Sequence, residues 1–108
     1  MTGRVGGSSR HERPLIDEAA LAAAGDAEKL LEAARERGLE RWVEVLTPLP
    51  DQLRDAWLDE LPRVALRARA AYGPKDSIRE QLPAHLTEPF LADVDRLLKA
   101  LARDEMER

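Results

Sequence analysis

Cysteine is absent from this 108-residue chain, and histidine, aromatic residues and long apolar runs are scarce. Without cysteine there is no disulfide, no thiolate metal ligand and no cysteine nucleophile, a usage that fits a reducing compartment. The longest apolar run, Ala19 to Ala24, falls far short of the roughly 20 residues that span a bilayer, and it is too short for a signal-peptide core. A cytoplasmic location with no membrane partner is therefore expected.

The two histidines, His11 and His85, sit far apart, and no HExxH or paired ExxH spacing accompanies them. Zinc and di-iron readings lose their ligands for that reason. The Gly-rich stretch at residues 3–9 lacks the GxxxxGK[ST] pattern of a phosphate loop and has no strand before it. His85 has no acidic neighbour nearer in sequence than Glu80 and Glu88, so a linker histidine beside Leu86 is a better reading than a general base. No catalytic residue, metal site or cofactor is predicted, and the chain reads as a non-enzyme.

Charge is plentiful, at 35% of residues with a net of −4. Residues 1–14 carry Arg4, Arg10 and Arg13 against Glu12, a balance of +2 that leaves −6 on the remainder. An acidic body argues against a dedicated nucleic-acid surface. Arginine outnumbers lysine by 14 to 3, a bias better explained by a GC-rich coding sequence than by phosphate recognition.

Helix punctuation is the strongest positive signal. Asp17, Asp26, Ser77 and Thr87 stand where N-caps belong, and Gly25, Gly38 and Gly73 stand where helices end. The expected fold is all-α: one compact domain of about six helices over residues 15–108, behind a flexible basic tail at 1–14. A short helix runs from Asp17 to Ala24, and a second runs from Asp26 to a Schellman ending at Gly38, with Leu39 folding back on Ala34. Leu39, Trp42, Val43 and Leu46 mark a third.

A long helix, kinked at Pro62, is expected over residues 50–72, because the stripe Leu53, Trp57, Leu61, Val64, Ala68 and Tyr72 keeps its phase across the proline. Ser77 opens a short helix, and Thr87 opens the last, long one at 88–104. Leu46-Thr47 recurs as Leu86-Thr87 with a period of 40, a pairing that chance explains as well as duplication.

Two surfaces invite a partner. Trp57 with the adjacent Leu58 widens the apolar face of the long helix, and tryptophan is enriched at interfaces. Arg63, Arg67, Arg69, Lys75 and Arg79, with Tyr72 among them, form the main basic cluster of the body. The favoured function is a protein-interaction or regulatory module acting through apolar helix faces on another protein or on itself as a homodimer. The candidate interaction residues are Trp57, Leu58, Arg63, Arg67, Arg69 and Tyr72. A nucleic-acid-associated regulator using the Arg63–Arg79 cluster is the alternative. A ligand binder or enzyme using His85 or Tyr72 ranks third.

Overall fold

A computed structural model describes residues 10–107. They form five α-helices: α1 (Pro14–Glu36), α2 (Glu40–Leu46), α3 (Leu49–Asp55), α4 (Leu61–Ala70) and α5 (Ala84–Met106). Short 3-10 turns lie at Arg10–Glu12 and Ile78–Glu80. The all-α class is as expected, but the division into helices differs. Among the described residues no helix is long and apolar enough to cross a membrane.

Helix α1 absorbs two expected helices. Ile16, Ala19, Ala20, Ala23, Ala24, Ala27, Leu30, Leu31 and Ala34 are buried along one continuous stripe that passes Gly25 without losing phase. One internal glycine costs about 1 kcal/mol relative to alanine, less than the gain from burying the two halves as one face. Asp26 therefore lies inside the helix rather than capping one. The ending at Gly38 is as expected. Gly38 takes φ +67, its N–H donates to the Arg35 carbonyl, and the Leu39 N–H donates to the Ala34 carbonyl. Those two bonds are the Schellman pair.

The expected kinked helix over 50–72 is two helices instead. Chain direction changes at Ala56, whose backbone is extended, and α4 begins five residues later. The Trp57 N–H donates to Glu60 Oε1, and the Trp57 carbonyl accepts from the Glu60 and Leu61 N–H groups. Pro62 thus falls in the first turn of α4, where its missing N–H costs no helical bond. The stripe is broken at Trp57, which turns outward, while Leu53 on α3 and Leu61, Val64 and Ala68 on α4 face the same core.

Helix α5 starts at Ala84, three residues before Thr87, so Thr87 is a fully buried member of its first turn and not a cap. Pro89 lies inside this helix and withholds one bond, that to the carbonyl of exposed His85, which faces solvent. Ser77 does cap, accepting from the Arg79 N–H at 3.2 Å, although it opens a 3-10 turn and not an α-helix. The period-40 pairing has no structural counterpart. Thr47 ends α2 while Thr87 lies within α5.

Helices α1 and α5 run antiparallel along the 45 Å length of the molecule, tied at one end by an Arg13–Asp104 ion pair at 2.5 Å. The short helices pack across them, α2 and α3 on α1, and α4 between α3 and α5. Phe90, Leu30, Leu49, Leu53, Leu61 and Leu97 are fully buried where these elements meet. The flexible tail expected at 1–14 begins its packing earlier than foreseen. Arg10 is buried, pairs with Asp17 at 3.1 Å and donates to the carbonyls of Arg54 and Ala56 at 2.7 and 3.1 Å. These are carbonyls at the end of α3 with no helical partner, and a fixed guanidinium satisfies them. The expectation for residues 1–9 lies outside the described residues.

Candidate functional site

Trp57 stands at the turn between α3 and α4, half-exposed at 51%, because the extended Ala56 swings it outward while Leu58 turns in. Beneath it α3 and α4 diverge and leave a groove of about 490 Å³. Asp51 and Asp55 line the α3 wall, and Arg63 and Arg67, one turn apart, line the α4 wall. Arg67 donates to Gln52 Oε1 at 3.0 Å across the groove, which holds the walls in register. Arg63 is exposed and has no ion-pair partner among the described residues. The groove is therefore bipolar, with an indole at its lip and one uncommitted guanidinium.

Of the six residues expected to form an interaction surface, the structure brings together Trp57, Arg63 and Arg67 and separates the others. Leu58 is 5% exposed and belongs to the core, so it widens no outward face. Tyr72 is buried against Phe90, with ring centroids 6.3 Å apart, and its hydroxyl donates to the Thr87 carbonyl at 2.5 Å. Burial holds the phenol above its ordinary range, reinforced by the Glu88 charge. A phenol in that state offers neither a base nor a contact group. Arg69 turns to α5, where it pairs with Asp95 at 3.1 Å and lies 6.0 Å from the centre of the Tyr72 ring.

The basic cluster dissolves in the same way. Arg79 makes a two-pronged pair with Glu88, both bonds at 2.8 Å, and that contact lowers the Glu88 pKa. With Arg69 on Asp95 and Arg67 on Gln52, only Arg63 and Lys75 of the five cations keep an unengaged charge among the described residues. Arg63 lies on α4 and Lys75 in the loop beyond Gly73. That distribution lacks the continuous positive track on which phosphate contacts depend.

One polar pair was not foreseen from the sequence. Asp26 on α1 faces Asp93 on α5, and Asp26 Oδ2 is buried without a hydrogen-bond donor. When both groups are ionised neither has a proton to share. Burial first, then the contact with Asp93 and its charge, push the Asp26 pKa up to about 7, against the pull of Lys29 and Arg96. The pairing spans 67 positions of sequence, which no local spacing rule reaches. Among the described residues no group of three or more His, Asp or Glu side chains is placed to hold a metal. No known protein family, curated protein or solved structure matches the chain, so its functional reading rests on its own surface.

Proposed function

We propose that the chain is a small non-enzymatic interaction module that receives a segment of a partner protein in the groove between α3 and α4. The observation that supports it is the half-exposed Trp57 at the lip of that groove, opposite the uncommitted Arg63. Tryptophan and arginine are both enriched among the residues that supply most binding energy at protein interfaces. The partner segment carries an apolar anchor for Trp57 and a carboxylate for Arg63. The rim of acids on α3 favours a basic residue on the segment's other side.

The nucleic-acid reading loses support because its cations are dispersed and mostly paired. Selection of peptides from a displayed random library against the full chain tests the proposal. Enriched peptides should combine an aromatic or aliphatic anchor with a nearby carboxylate. Their binding should fall about tenfold or more on Trp57→Asp, with helical content unchanged. Peptides that bind Trp57→Asp as well as the parent chain, or a library that yields none, would overturn it.

A further inference from the structure

A second groove, of about 410 Å³, lies between the first turns of α1 and the last turns of α5. Its floor is apolar, formed by Pro14, Leu15, Ile16 and Ala100, and Leu15 stands 65% exposed in it. Its two walls differ in net charge: Glu12 and Glu18 outnumber Arg13 on the α1 side, and Arg96, Lys99 and Arg103 outnumber Asp104 and Glu107 on the α5 side. Glu12, Glu18, Lys99, Arg103 and Glu107 have no ion-pair partner among the described residues, whereas Arg96 and Asp104 beside them are already paired, with Asp93 and Arg13.

From this arrangement we infer that the groove is the contact face of a symmetric homodimer, each copy placing its Leu15 in the groove of the other. The antiparallel pairing of α1 and α5, tied at Arg13–Asp104 and matched again where Asp26 faces Asp93, sets Glu18 level with Lys99. A two-fold axis parallel to the helices lays α1 of one copy on α5 of the other without shifting that level. Glu18 then meets the second copy's Lys99, and the symmetry repeats the pair. A two-fold axis across the helices would instead set acid on acid, so the charges select the first arrangement. Exposed pairs of this kind add little affinity but fix orientation, while Leu15 and the aliphatic stems of Lys99 and Arg103 supply the apolar contact. This face is separate from the Trp57 groove and does not depend on the reading given to it.

Sedimentation equilibrium of the full chain from about 1 to about 500 µM tests the inference, with circular dichroism of every variant as the control for folding. The mass should rise with concentration from 12.1 kDa toward twice that value. Leu15→Asp, Glu18→Lys and Lys99→Glu should each weaken association about tenfold or more, and Glu18→Lys combined with Lys99→Glu should restore it. Trp57→Asp should leave the mass unchanged. A single-chain mass over the whole range overturns the inference, as does a dimer indifferent to Leu15→Asp or one dissolved by Trp57→Asp. Failure of the double exchange to restore association refutes the proposed orientation.

Discussion

Gly25 and Gly38 show how differently one residue type acts inside a helix and just past its end. Gly25 is helical, and a Cβ added there meets nothing within 4 Å. Gly25→Ala should therefore stabilise the fold by about 0.5–1 kcal/mol, seen as a higher thermal midpoint. At Gly38 a Cβ also has room, but φ +67 strains any L side chain. Gly38→Ala should destabilise by about 1–2 kcal/mol in the same measurement.

The Asp26–Asp93 contact makes a residue-scale prediction of opposite sign to that of most carboxylates. The Asp26 pKa rises from 3.8 in the free group to about 7 in the fold. The folded state therefore binds the extra proton. The stability this brings is complete below pH ~4, declines as pH climbs toward 7, and is gone above it. Asp26→Asn keeps a donor facing Asp93 without the charge. Denaturant titrations at several pH values should show the variant more stable than the parent at pH ~8, by on the order of 1 kcal/mol after solvent screening, with the gap closing toward pH ~4.

Among the elements, α3 is the one most dependent on a residue outside itself. It has seven residues, about half the length at which an isolated helix persists. Leu49, Pro50 and Leu53 bury its inner side, and Arg54 ties it to Glu28 of α1 at 3.0 Å. Its C-terminal end relies on Arg10, whose guanidinium bridges Asp17 on α1 and the carbonyls of Arg54 and Ala56. Arg10→Ala should cost about 2–3 kcal/mol in equilibrium unfolding. Amides of α3 should lose hydrogen-exchange protection before those of α1 or α5. Equal loss across all three helices would show that Arg10 supports the whole fold and not this element. The consequence reaches the Trp57 groove, because α3 is one of its walls.

The whole molecule is organised around α1, which touches α2, α3 and α5 and lies beneath most of the core. Its inner side is largely alanine, so neighbouring helices approach closely and the packing tolerates little added volume. Ala23→Leu, at a position with no exposure, should cost about 1–3 kcal/mol or more by overpacking, although leucine is a good helix former and isolated propensity would make the change nearly neutral. A thermal midpoint equal to the parent's would show that α1 and α5 are looser than their geometry implies.

The sequence by itself determined that this chain is helical, that Gly38 ends one helix and Ser77 caps an element, and that Trp57 is a candidate contact residue. Each of these depends on neighbours within a few positions, where capping, φ preference and apolar period act. Local signals also misplaced boundaries. Gly25-Asp26 has the letters of a stop and a start, yet burial of one long stripe outweighed them. Pro62 has the letters of a kink, yet the chain used it as a first-turn residue. Only the tertiary structure decided that Leu58 and Tyr72 are core, that Arg69 and Arg79 are spent on Asp95 and Glu88, and that Arg63 remains uncommitted beside Trp57. Those outcomes depend on which side chains far apart in sequence come within reach, and exposure and ion pairing acquire values only once the helices are packed.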